Sequence, residues 1–191
     1  MQKNYSKYLT SQSKKFAKKN KIFDIVLYGS ATKGKSKIRD LDVLLIFIDE
    51  PLKMRVNLTQ EFKEILKQKI TNLDIKTINL NEFFQKEFLA RQSILIEAIS
   101  LLDNTPIAEK LGFKGKTIFN YNLTNLSHNE KTKFTYAMIG RNSEGIFKKL
   151  KAERLGKGSL LIPIENSLTF EEFLTKWKIN FESQNILIPK Y

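Results

Sequence analysis

Two aspartates one residue apart, Asp40 and Asp42, lead into 41-LDVLLIFI-48, a run that otherwise has the composition of a buried strand. In a pleated strand Asp42 faces away from Leu41 and Val43, and Asp40 lies on the same side as Asp42, two residues earlier. Ionised carboxylates placed so close repel each other and are costly to desolvate. A divalent cation between them relieves both penalties. A pair of hard oxygen ligands suits Mg²⁺, which takes one or two carboxylates together with phosphate oxygens. Upstream, the apolar run 25-IVLY-28 stops at Gly29-Ser30. A strand that ends in a glycine turn and enters a short helix presents backbone N–H groups, and the Ser30 hydroxyl adds a further donor, so such a corner holds phosphate. Gly34 lets the chain turn back, while Lys33, Lys35 and Lys37 bring positive charge to the loop. A phosphate cradle beside a metal-binding pair equips a chain for nucleoside triphosphate chemistry.

These residues need strands to hold them. Residues 22–28 (IFDIVLY), 41–48 and 73–79 (LDIKTIN) are rich in strand formers. In the last, Leu73, Ile75 and Thr77 share one face, and Asp74, Lys76 and Ile78 point the other way. A basic amphipathic helix is expected over 3–20. A second is expected over 59–70, with Thr59 as N-cap and Phe62, Ile65, Leu66 and Ile70 at helical spacing. Asn81 is expected to cap a helix over 82–91, with 92–99 also helical. The turn 103-DNTP-106 is the expected domain boundary, dividing the chain into 1–105 and 106–191.

The pattern L27-Y28-G29-S30-x-x-x-G34, followed after five residues by D40-x-D42-V-L-L, resembles the signature of polymerase-β-like nucleotidyltransferases, and most of all their minimal domains. The resemblance spans about residues 20–105. Within it, Asp74 falls where the family carries a third carboxylate, and 92-QSILIEAISLLDN-104 is similar to the helix and short strand that close such domains. One departure stands out: the residue before the first aspartate is often Ser in the family, and here it is Arg39, which either helps hold triphosphate or is a solvated loop cation. The resemblance implies an α/β (α+β) domain with a mixed sheet. It also implies two Mg²⁺ ions, Mn²⁺ being a possible substitute. Asp40 and Asp42 would bind the ion that accompanies the triphosphate, and Asp40, Asp42 and Asp74 the ion at the acceptor hydroxyl, with Asp74 receiving its proton. Gly29, Ser30, Lys33, Gly34 and Arg39 would contact the nucleotide.

Composition sets the outer limits. The 191 residues are 41% hydrophobic, include no cysteine, and carry a formal charge of +13. Disulfides and thiolate metal sites are therefore excluded. The N-terminus lacks the apolar core of a signal peptide, and no run is long enough for a membrane helix, so a soluble cytoplasmic protein is expected. Through Thr105 there are 19 Lys/Arg against 12 Asp/Glu, and beyond it 14 against 8, so the basic excess is spread along the chain. Such a chain suits a polyanionic partner, RNA before DNA.

Residues 106–191 read as a small α/β domain without a recognisable motif. They are expected to form a helix at 107–111, strands at 117–123 and 159–164, a Ser127/Glu130 capping box opening a helix to about 139, a helix over 145–154, a helix over 169–178 and a final strand near 179–188. Lys131, Lys133, Arg141, Lys148, Lys149, Lys151, Arg154 and Lys157 cluster against only Glu144 and Glu153 and are candidates for binding an acceptor nucleic acid. Phe119, Tyr121, Phe134, Tyr136 and Phe147, interleaved with them, serve either base stacking or the core. Gly140-Arg141 and 156-GKG-158 are phosphate contacts or plain turns. His128 is expected in a helix cap region, and Trp177 in the core. The C-terminal 184-QNILIPKY-191 is similar to a sliding-clamp-binding peptide that lacks the paired aromatics. Three readings follow: nucleotide transfer to nucleic acid, transfer to a protein (antitoxin-type AMP transfer) or small molecule, and a non-catalytic binding module. Three clustered aspartates weigh against the last.

Overall fold

The computed structural model describes residues 3–33, 40–141 and 143–190. It divides into two compact units, Met1–Leu111 and Gly112–Tyr191. Among the described residues no helix is long and apolar enough to cross a membrane.

The first unit begins with helix α1 (Lys3–Asn20), whose stripe of Leu9, Ser13, Phe16 and Ala17 is buried. Strand β1 (Ile22–Tyr28) follows, then a 3-10 turn over Gly29–Ala31, strand β2 (Leu41–Phe47), helix α2 (Leu52–Lys67) and strand β3 (Leu73–Asn79). β1 and β2 are antiparallel, whereas β2 and β3 are parallel because α2 carries the chain back across the sheet. On one face Ile25, Leu27, Val43, Leu45 and Phe47 pack with Leu9, Phe16, Phe62 and Leu66 from α1 and α2. Each such side chain contributes roughly 1.5–3 kcal/mol on burial. The rings of Phe16 and Phe62 lie 4.7 Å apart, and the Tyr8 hydroxyl donates to the Ile65 carbonyl at 2.8 Å, locking the two helices together.

α2 starts earlier than its sequence suggests. Pro51 is its N-cap residue, and Thr59 lies inside the helix with its hydroxyl donating to the Arg55 carbonyl at 2.7 Å. The cause is Arg55, a charged residue on the inner face. Its guanidinium is buried and grips Glu82 at 2.8 and 2.9 Å, which hides the apolar period of this first half. Glu82 also fixes the next helix. Asn79, rather than Asn81, caps α3 (Leu80–Phe83) in a reciprocal capping box with Glu82, and this helix lasts one turn instead of reaching residue 91. Turns over 84–90 lead to α4 (Arg91–Glu97), which covers the opposite face of the sheet through Ile94, packed with Val26, Leu44 and Ile78.

Strand β4 (Ile99–Ser100) joins the other side of β1, giving the order β3-β2-β1-β4. The 103–106 turn lies within this unit, because helix α5 (Ile107–Lys110) is tied back to it. Ile107 N–H donates to the Ala98 carbonyl at 2.8 Å, and Lys110 donates to Asp24 at 2.9 Å and pairs with Asp103 at 2.8 Å. Asp24, 4% exposed on β1, also accepts from the Ser100 hydroxyl and from the Ile25 N–H, so its charge is fully solvated by protein.

The second unit is an antiparallel sheet of β5 (Phe113–Tyr121), β6 (Glu153–Gly156), β7 (Ser159–Pro163) and β8 (Phe181–Pro189), in the order β6-β7-β5-β8. Helix α6 (His128–Ile139), short helix α7 (Ile146–Lys149) and helix α8 (Ser167–Lys176) complete it. Ser127 and Glu130 form the expected capping box, and His128 is the first helical residue. Beyond Lys149 the expected helix gives way to β6. Lys151 takes a positive φ, and Glu153 and Arg154 pair with Leu161 and Leu160 in a hairpin. The aromatics build the core: Phe119, Phe134, Phe170, Phe173 and Trp177 make edge and stacked contacts at 5.0–6.3 Å. Residues 184–189 are strand, paired with β5, so this stretch is not a free clamp-binding peptide.

Candidate active site

The sheet of the first unit sets one row of side chains side by side. Tyr28 pairs with Asp42 across the antiparallel ladder, and Asp42 pairs with Asp74 across the parallel one. Partners in register point to the same face, so the two carboxylates are neighbours on adjacent strands. Lys76, two residues beyond Asp74, shares that face, and its ammonium lies 3.3 Å from Asp74 Oδ2. Asp74 and Lys76 remain half-exposed or more, whereas Asp42 is half-buried. Burial first, then the charges of Asp74 and Asp40, raise the Asp42 carboxyl above its ordinary value, with Lys76 opposing. Burial likewise raises the Tyr28 hydroxyl, against the pull of Lys76.

Gly29 closes the row from above. Its φ is +74°, a conformation L side chains rarely adopt, and a Cβ there would stand 2.4 Å from Asp42 Oδ2. The Asp42 carboxylate therefore rests against bare backbone at the start of the turn. The turn itself is closed by Thr32, whose N–H and hydroxyl both donate to the Gly29 carbonyl, at 3.2 and 2.8 Å. Ser30 sits half-buried within it.

Not every expected contact converges. Asp40 is exposed just ahead of β2. Among the described residues, no group of three or more His, Cys, Asp or Glu side chains is arranged to hold a metal ion, so the aspartates do not form a preassembled three-carboxylate cage. The Asp42–Asp74 pair does fit a hard cation in its chemistry: two oxygen ligands, one pressed against Cβ-free backbone and resisting ionisation because of its burial and then its neighbour. The Lys76 ammonium stands at Asp74 as a positive charge would. Lys33 directs its ammonium to Glu97, a carboxylate 3% exposed on α4, and so serves to fasten the turn to that helix. Gly34, Lys35, Lys37 and Arg39 lie outside the described residues. Sequence reasoning did not assign Tyr28 or Glu97. The alternation of β1 against β2 would have exposed Tyr28, while Glu97 carried no signal until α4 was placed.

In the second unit the eight candidate cations separate. Lys131, Arg154 and Lys157 line one groove. Lys148 approaches Glu144 at 3.8 Å, the Arg141 guanidinium lies 5.0 Å over the Tyr136 ring, and Lys133, Lys149 and Lys151 are exposed elsewhere on the unit.

The family model described as polymerase beta, nucleotidyltransferase, matches residues 11–100. No curated protein matches the chain. Among solved structures, the chain is similar to one in a rebuilt structure of a tri-AMPylated Shewanella oneidensis HEPN toxin in complex with MNT antitoxin. The two are 19% identical with a TM-score of 0.37, over 58% of this chain and 79% of that one.

Proposed function

We propose that this chain, whose residues 11–100 belong to the polymerase β nucleotidyltransferase family, transfers a nucleotide from a nucleoside triphosphate to an acceptor hydroxyl on nucleic acid, RNA before DNA. The observation that carries the reading is the seating of Asp42 against Gly29, in register with Asp74. Family membership supports nucleotidyl transfer. The acceptor is argued from the +13 charge and from the cations of the second unit.

Asp42 and Asp74 would hold Mg²⁺, with Asp40 completing the set and a second ion shared with the acceptor side. When bound, the metal would neutralise charge on the triphosphate and on the attacking oxygen. The chain's own residues do the rest. The N–H groups of the Gly29–Ala31 turn and the Ser30 hydroxyl orient the phosphates. The acceptor oxygen forms a bond to the α-phosphorus, the bond from that phosphorus to the bridging oxygen breaks, and pyrophosphate leaves. The Asp74 carboxylate takes the hydroxyl proton. Lys76, whose ammonium lies 3.3 Å from Asp74 Oδ2, holds that carboxylate in position.

Incubating the protein with labelled nucleoside triphosphates, Mg²⁺ and separate pools of RNA, DNA and protein shows which pool takes the label. RNA is the expected acceptor, and Asp42→Asn should abolish transfer while leaving the circular dichroism spectrum unchanged. Label entering only protein would replace the acceptor, and no label in any pool would remove the catalytic reading.

A further inference from the structure

The three cations that converge in the second unit border a groove of about 730 Å³ whose walls include Tyr121, Asn122, Thr124, Lys131, Arg154 and Lys157. Among the described residues no carboxylate lines it. Among the described residues none of the three cations forms an ion pair, in contrast to Lys116, which pairs with Glu153, and Lys148, which approaches Glu144. Asn122 Oδ1 accepts from the Thr124 N–H and hydroxyl, so what this amide has left to offer a ligand is its hydrogens. The Tyr121 ring is committed to the core against Phe134 and Phe170, so its hydroxyl and not its face is what the groove can use. Gly158 has a φ of +76°, and a Cβ there would lie 2.4 Å from the Tyr121 carbonyl. Only glycine lets the β6–β7 hairpin close this tightly on β5 and bring Lys157 to the rim.

A groove of nucleotide dimensions that carries three cations and, among the described residues, no carboxylate selects an anion with several acceptor oxygens. We infer that this groove holds consecutive backbone phosphates of a single-stranded nucleic acid, and is the anchor for the acceptor. The inference rests on the nucleic-acid reading of the proposed function. The other five candidate cations, which lie outside the groove, are not needed for it.

The test is the salt dependence of binding of the full-length protein to a short fluorescein-labelled oligouridine, followed by anisotropy. Each phosphate neutralised on a single strand adds about 0.7 to the slope of log K against log salt. The K131Q/R154Q/K157Q variant should therefore lower the slope by about 2, and lose about 20-fold of the affinity change the wild type shows over a fourfold change in salt. The charge-matched control K114Q/K176Q/K178Q alters exposed lysines that do not line the groove and should keep the wild-type slope. Equal losses in both variants would overturn the groove while leaving nucleic acid as the acceptor. Displacement of the oligouridine by tripolyphosphate at equal phosphate concentration would mean that the groove takes free polyphosphate, and would overturn the backbone assignment. Failure of the wild type to bind, with label entering another acceptor in the transfer assay, would overturn the groove together with the acceptor reading.

Discussion

Replacing Gly29 with alanine tests the site where its geometry is tightest. Two effects follow from the structure, and they separate. First, alanine must adopt a φ of +74°, which costs about 1–2 kcal/mol. For a chain of this size that lowers the melting temperature by roughly 2–8 °C. Second, the new Cβ would lie 2.4 Å from Asp42 Oδ2, a separation that real Cβ atoms essentially never show. Ordinary van der Waals contact requires the carboxylate to retreat by about 1 Å, and a displacement of that size at a reacting centre lowers the rate about 100-fold. Because the clashing atom is the tip of a side chain, it can rotate away, so the catalytic loss should far exceed the loss of stability. Gly112→Ala is the control. It has a φ of +78° and nothing within 4 Å of the added Cβ, so it carries the same backbone strain without displacing anything. Thermal melts and single-turnover transfer of labelled nucleotide measure both quantities. If G29A and G112A lose similar stability and both transfer within about threefold of wild type, the position of Asp42 is not what the reaction depends on.

Two further predictions concern the buried charges. The Asp42 carboxyl is raised by burial and by Asp74, so the fold favours its neutral form. As pH rises through the ordinary value of 3.8, the unfolded chain ionises first and the native state loses stability until Asp42 itself ionises. Asp42→Asn should therefore melt above wild type at neutral pH, with the gap closing below about pH 4; a gap independent of pH would contradict the burial argument. Lys110→Met strands Asp24, which is 4% exposed, without its counter-charge. The loss should be about 1.5–3 kcal/mol in urea unfolding followed by circular dichroism, partly recovered in the D24N/K110M double variant.

The three strands that carry the site were legible residue for residue, or nearly so, because strand-forming residues fill them and their ends fall at Gly29, Asp40 and a turn. The family resemblance set Asp74 beside Asp42, and the β2–β3 register brings the two into line. The helices were less legible wherever a charged residue points inward. Arg55 is buried on Glu82, so the first half of α2 reads as polar although it is packed, and Glu82 then moves the cap of α3 from Asn81 to Asn79. In the second unit, Leu150 and Ala152 read as helical, yet the hairpin pairing of Glu153 and Arg154 with β7 competes for the same backbone and wins.

What the sequence by itself determined is the chemistry available: which side chains are acidic, where a chain without Cβ can turn, and which strands alternate. These are local properties, set within a few residues by sterics and side-chain type. What only the tertiary structure decided is which charges meet. Lys33 belongs to Glu97, Arg55 to Glu82 and Lys110 to Asp24, and three of eight clustered cations share one groove. Each of these pairings joins residues through sheet register or helix packing. Coulomb attraction and desolvation act through space, so the order of residues along the chain leaves their partners open until the elements are assembled.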